Sequence, residues 1–191
     1  MKTGLVSVEG KTYYLGTDGV MQANGWVQVN GTWYYLSASG AAVTGWNNIG
    51  GYWYYMNAAG AMQTGWEYVD GYWYYLNADG SMATGWKLLG GSYYYLKSTG
   101  VMATGWVKEG GEWYYMNADG VMQTGWVQVA GVWYYLSGSG AMVTGWLQQG
   151  GLWYYLAPSG RMLASESMVI NGAKYNFDKN GHWTYSVGHT C

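Results

Sequence analysis

A motif of 20 residues recurs along this chain without a slip of register, and each copy places the same kinds of ring at the same offsets. A Gly-Trp pair returns at Trp26, Trp46, Trp66, Trp86, Trp106, Trp126 and Trp146. Seven residues after each stands a second ring, Trp33, Trp53, Trp73, Tyr93, Trp113, Trp133 and Trp153. Two tyrosines and a Leu or Met follow every time, as in Tyr34-Tyr35-Leu36 and Tyr54-Tyr55-Met56. A short fixed period means one small unit stacked along an axis, each copy burying its neighbour's open face. A site copied seven times points to binding, because a catalytic centre is normally built once.

Within residues 25 to 44, Trp26 to Val29 and Thr32 to Leu36 are rich in β-branched and aromatic side chains and are predicted strands. Asn30-Gly31 between them is a strong two-residue hairpin signal, since both turn positions need positive φ. A glycine such as Gly40, after a small polar residue, turns the chain into the next copy. The expected fold class is all-β, a solenoid of stacked β-hairpin repeats of 20 residues. One array is expected over 1–191: a divergent first repeat or cap at 1–24, seven regular repeats at 25–164, and a divergent cap at 165–191. Leu5 and Thr12 stand where the first copy should have its two rings, and Lys174 and Asn176 replace a Trp and a Tyr in the last.

Strand alternation divides each hairpin. A two-residue turn puts Trp26, Trp33 and Tyr35 on one face, and Val27, Val29, Tyr34 and Leu36 on the other. The second face is the expected core seam against neighbouring hairpins, which a lone hairpin needs for stability. The first is left for a ligand. Core packing alone accounts for Tyr34 and its equivalents, and less well for a Trp pair opposite the aliphatic face.

The composition narrows the ligand. The chain has 14 Trp and 22 Tyr but a single Phe, so its rings carry polar edges suited to partly wet surfaces. With 8 Lys+Arg against 10 Asp+Glu, no electropositive groove for nucleic acid is available. No apolar run approaches the roughly 20 residues that span a bilayer. Three electron-rich faces suit a poorly hydrated cation such as a quaternary ammonium. A primary ammonium holds its water and recruits a carboxylate, yet no acidic residue keeps one offset through the series: Glu67, Asp70, Asp79, Glu109, Glu112 and Asp119 are scattered. Sugars want a repeated polar partner, and the offset of Gln28 is filled elsewhere by Asn48, Tyr68, Leu88, Lys108, Gln128 and Gln148.

Gly-Trp, a hairpin, Trp-Tyr-Tyr-Leu and Gly-x-Met-x-Thr-Gly-Trp together resemble the choline-binding repeats of pneumococcal-type surface proteins, autolysins and phage lysins, over about residues 4 to 183. The resemblance implies a left-handed superhelix of hairpins that binds choline or phosphocholine on teichoic and lipoteichoic acids. It implies a secreted or bacterial cell-surface location and a catalytic or adhesive domain attached elsewhere. It also implies sites between consecutive hairpins, made by two rings of one, a Tyr of the next and a Met at the base.

Carried over, the expected choline sites are Trp46, Trp53, Met62 and Tyr75; Trp66, Trp73, Met82 and Tyr95; and Trp86, Tyr93, Met102 and Tyr115. Trp106, Trp113, Met122 and Tyr135, then Trp126, Trp133, Met142 and Tyr155, continue them. Trp26, Trp33 and Tyr55 form a looser site with Ala42 in the Met position, and Trp146, Trp153 and Met162 lack a following Tyr because Asn176 stands there. Choosing the second Tyr of each pair rests on strand alternation. Glucan-binding and toxin repeats, which favour Tyr-Tyr-Phe and fewer Trp, are the alternative family.

No enzyme, cofactor, metal or membrane insertion is expected. His182 and His189 lie in the divergent tail with Cys191, too loosely spaced for a metal set, and no nucleophile is copied beside a base. The lone Cys191 excludes an internal disulfide and leaves two readings open, a homodimer link or no role. Met1-Lys2-Thr3-Gly4-Leu5 shows no apolar signal-peptide core, so a secretion signal would lie outside this sequence.

Overall fold

The structure, a computed structural model, describes residues 1–184. Tyr185 to Cys191, which include His189 and Cys191, lie outside the described residues, and so do the expectations placed on them. Among the described residues every regular element is a strand, and no helix is long and apolar enough to cross a membrane. The chain divides into two compact units, Met1–Lys87 with Tyr95–Met102, and Leu88–Tyr94 with Ala103 onward.

In the first unit, antiparallel hairpins pair Gly4–Val8 with Lys11–Leu15, Gly25–Val29 with Thr32–Leu36, Gly45–Ile49 with Tyr52–Met56, and Gly65–Val69 with Tyr72–Leu76. The register is the one that the turns dictate: Val29 opposes Thr32, Gln28 opposes Trp33, Val27 opposes Tyr34 and Trp26 opposes Tyr35. Asn30 and Gly31 sit at φ 49° and 84°, the left-handed pair whose twist matches that of the flanking strands. At the N-terminal end Leu5 opposes Tyr14 and Ser7 opposes Thr12, so the backbone unit persists there without the Trp pair.

The second unit repeats the pattern in Gly105–Glu109 with Glu112–Met116, Gly125–Val129 with Val132–Leu136, and Gly145–Gln149 with Leu152–Leu156. It ends in a three-stranded sheet of Glu166–Ile170, Ala173–Phe177 and Trp183–Thr184. Ala157, Leu163, Ile170 and Phe177 form a buried cluster there, with Trp146, Tyr155, Tyr175 and Trp183 packed against it. Arg161 forks onto Glu166 at 2.5 and 3.1 Å, and that hydrogen bonding holds the Glu166 carboxyl below its ordinary value.

Two devices hold neighbouring hairpins together. In the regular repeats the last residue of the second strand is fully buried: Leu36, Met56, Leu76 and Leu96 in the first unit, Met116, Leu136 and Leu156 in the second. Each side chain of this size removed from water contributes roughly 1.5–3 kcal/mol. The connectors of the regular repeats supply the other device, because they hydrogen-bond both their own hairpin and the preceding one. Gln63 N–H donates to the Tyr55 carbonyl at 2.8 Å, while Met62 N–H reaches back to the Trp33 carbonyl at 2.8 Å. Backbone groups that would otherwise be left on a two-stranded edge are satisfied in this way.

Candidate functional site: open cages of three aromatic rings

The cross-strand pairing that sets the register also sets the ring geometry. Trp26 lies edge-on to Trp33, centroids 6.2 Å apart at 89°, so the two form adjoining walls rather than a stack. Tyr54 of the next hairpin closes a third side, its centroid 5.0 Å from Trp26 at 68°. Met62 lines the same cavity of about 360 Å³. The next cavity, also about 360 Å³, is lined by Trp46, Trp53, Tyr74 and Met82, with Trp46 and Tyr74 4.8 Å apart.

In the second unit Trp106 meets Trp113 at 6.4 Å and Tyr134 at 4.8 Å, and Trp126 meets Trp133 at 6.4 Å and Tyr154 at 4.8 Å. The first Trp of each pair is half-buried. The second stays open to solvent, from 39% exposed at Trp33 to 45% at Trp53, which leaves a wall free for a ligand. Near-perpendicular ring faces converging on one volume present several negative quadrupole faces to whatever fills it.

Two groupings expected from the sequence are corrected. In the cavities beside Trp26 and Trp46, and beside Trp106 and Trp126, the tyrosine from the next hairpin is the first of its pair, Tyr54, Tyr74, Tyr134 and Tyr154. Tyr55, Tyr75, Tyr95, Tyr115, Tyr135 and Tyr155 each pack on the Trp directly across their own hairpin, Trp46, Trp66, Trp86, Trp106, Trp126 and Trp146, at 5.1–5.2 Å. A ring spent on its own cross-strand partner is not available to the preceding hairpin. The tyrosine on the opposite face is, so the face expected to be only a core seam supplies the third wall.

The methionines are also displaced by one repeat. Met62, Met82 and Met102 donate their N–H groups to the carbonyls of Trp33, Trp53 and Trp73, and Met122, Met142 and Met162 to those of Tyr93, Trp113 and Trp133. Each connector backs onto the preceding hairpin and carries its Met there. Met62 therefore belongs with Trp26 and Trp33, while Ala42 donates to Thr12 of the first hairpin, which lacks the Trp pair. At the far end Tyr175 packs 4.8 Å from Trp146 despite Asn176, and Trp183 pairs with Phe177 as Met162 does with Leu156. Tyr54, Tyr74, Tyr134 and Tyr154 are the ring neighbours that the sequence reading missed, while Tyr175 and Trp183 pack on the buried cluster at the C-terminal end. For Tyr54, Tyr74, Tyr134 and Tyr154 the signal was the Tyr-Tyr doublet itself, with both members kept aromatic.

Charges near the cages differ from copy to copy. Asp79 lines the Trp26 cavity, and burial, then the Asp79 carboxylate, raise the Tyr54 hydroxyl above its ordinary value. Lys108, across the strand from Trp113, holds its Nζ 5.8 Å from that ring's centroid. Among the described residues no group of three His, Cys, Asp or Glu side chains converges on a metal position, and His182 pairs instead with Asp178 at 3.1 Å.

The family model described as "Choline-binding repeat" matches residues 2–44, 43–84, 83–124 and 123–167. This chain belongs to the choline-binding repeat family. Solved relatives from Streptococcus pneumoniae agree in fold. CbpJ is 36% identical with a TM-score of 0.81 over 96% of this chain and 70% of its own. Choline binding protein F, crystallised in the presence of a peptidoglycan analogue, is 40% identical with a TM-score of 0.79, over 94% and 63%. The choline-binding domain of CbpL is 30% identical with a TM-score of 0.72, over 98% and 100%. This chain thus spans about two thirds of choline binding protein F and the whole of the CbpL domain. No curated protein matches it. The repeats matched by the family model contain the hairpins that build the cages from Trp26 to Tyr154.

Proposed function

We propose that the chain is a non-catalytic cell-wall-binding module that holds choline, free or as phosphocholine on teichoic and lipoteichoic acids, in cages between consecutive hairpins, and so anchors an attached domain at the bacterial surface. The observation that carries this reading is the repetition of one open cage of two Trp, one Tyr and one Met. A trimethylammonium group has no N–H to satisfy, so ring faces alone recognise it. Each exposed ring contributes roughly 0.5–1 kcal/mol, rising to about 2 when desolvated, which implies a Kd near roughly millimolar for one site. The cage draws its walls from two hairpins, so an occupied cage also ties neighbours together.

Choline that binds only the folded chain stabilises it by about 2.7 kcal/mol per independent site at a hundredfold excess over Kd. The melting temperature is expected to climb through millimolar choline, well beyond the effect of matched sodium chloride. A melting curve that follows ionic strength alone would refute cation recognition by the cages.

The cages are not expected to be equal. The Lys108 ammonium over Trp113 already occupies part of that ring's field and repels a second cation. Lys108→Gln, which restores the side chain found at Gln28 and Gln128, is expected to strengthen choline binding at the Trp106–Trp113–Tyr134 cage by roughly two- to fivefold. Titration followed through the Trp113 indole resonance reads this directly, and an unchanged or weaker affinity would contradict it.

A further inference from the structure

Two cages of equal volume in the first unit differ in one chemical respect. The Trp26–Trp33–Tyr54–Met62 cavity is completed by Ala78 and Asp79 of a later connector, whereas the Trp46–Trp53–Tyr74–Met82 cavity has Ser98 and Thr99 in the same places. One cage thus has a carboxylate at its edge and the other a hydroxyl.

The carboxylate is held in position. Its Oδ1 accepts from the Ser81 backbone N–H at 2.9 Å and from the Ser81 hydroxyl at 2.6 Å. The hydroxyl bond first, then the backbone bond, keep the carboxyl below its ordinary value, so it is ionised at neutral pH. Lys87 is the nearby cation, but its ammonium donates to Asn77 Oδ1 at 2.9 Å. The field of Asp79 reaches the cage wall, where it adds to the upward shift of the Tyr54 hydroxyl.

A neutral cage selects for methylation because it offers a primary ammonium nothing in return for the water it must shed. A carboxylate at the rim changes that balance, since it accepts from N–H donors and adds an attractive charge. We propose that Asp79 makes the Trp26–Trp33–Tyr54 cage tolerant of primary and partly methylated ammonium groups, such as that of ethanolamine, which the Trp46–Trp53–Tyr74 cage discriminates against. The inference rests on the cages being cation sites. It adds a specificity determinant that one cage has and its neighbour lacks. Asp79 is exposed, so the effect is modest and screened by salt.

The test follows indole N–H resonances of the intact chain by NMR during titrations with choline and with ethanolamine, in the wild type, Asp79→Asn and Thr99→Asp. The amide of the Asp79→Asn variant keeps an acceptor for the Ser81 N–H while losing the charge, and dispersion of the remaining indole signals reports the fold. Choline is expected to shift both the Trp26/Trp33 and the Trp46/Trp53 signals, with a smaller preference for the first cage than ethanolamine shows. The charge attracts either cation, but only ethanolamine can also donate to the carboxylate. Ethanolamine is expected to titrate Trp26/Trp33 roughly two- to fivefold more tightly than Trp46/Trp53. Asp79→Asn should erase that difference, and Thr99→Asp should give the second cage the tolerance of the first. Equal ethanolamine affinities in the wild type, or a difference that survives Asp79→Asn, would overturn the role of Asp79 while leaving choline recognition standing. A choline titration that moves neither pair of signals would overturn both readings.

Discussion

On an immobilised choline matrix the intact chain is expected to resist washing until free choline is added, whereas a variant with Trp33, Trp53, Trp113 and Trp133 all changed to Ala elutes in the wash. Each of these rings forms the open wall of a different cage and is 39–45% exposed, so its removal empties a site without excavating a core. The size of the effect follows from tethering. Once one cage is occupied, the next meets choline at the high local concentration of the surface, and several weak sites together exceed one by roughly two to four orders of magnitude. Loss of retention should therefore be much steeper than the fraction of cages removed, and single variants should elute at intermediate choline concentrations. Circular dichroism of the fourfold variant checks that the hairpins persist. Retention that declines only in proportion to the cages lost would mean that they act singly.

The largest single-residue loss of stability is expected at the buried strand ends. Leu76 is fully buried where the second strand of its hairpin bridges Met82 of the connector. Leu76→Ala removes three carbons from a closed interface, which costs roughly 2–5 kcal/mol depending on how far the cavity collapses. Trp53→Ala, at the open wall of a cage, should cost less although it deletes far more atoms, because nearly half of that residue already faces water. Denaturant unfolding compares the two. In a stack of repeats the damage can be confined to adjacent copies, so the transition is followed by more than one probe. A neutral Leu76→Ala beside an unfolded Trp53→Ala would reverse the assignment of core and site.

The hairpins were legible because everything that makes them is local. Asn30-Gly31 specifies a two-residue turn, the turn specifies the register, and the register places Trp26 opposite Tyr35, as found. The cages were legible in kind but not in membership. A sequence of period 20 looks the same after a shift by 20, so periodicity alone cannot say whether Met62 sits under Trp33 or Trp53. Only the path of the connector decides that, and the Met62 N–H bond to the Trp33 carbonyl shows it running back to the earlier hairpin. The choice between Tyr54 and Tyr55 failed for a related reason. Alternation within one hairpin correctly grouped Tyr55 with Trp46, but a ring so engaged serves its own hairpin. The partner across the gap comes from the other face, and stacking brings that face to Trp26. Asp79 was likewise visible as a residue but not as a neighbour, since it reaches the Trp26 cage from a connector two copies on.

Calorimetric titration of the intact chain with choline, run beside ethanolamine and glucan oligomers, tests the central claim most directly. The cages predict saturable heat for choline with a Kd near roughly millimolar, more than one site per chain, weaker binding of ethanolamine, and no saturable heat with glucan. Saturable binding of glucan without any of choline would contradict the account and assign the aromatic walls to sugar faces instead.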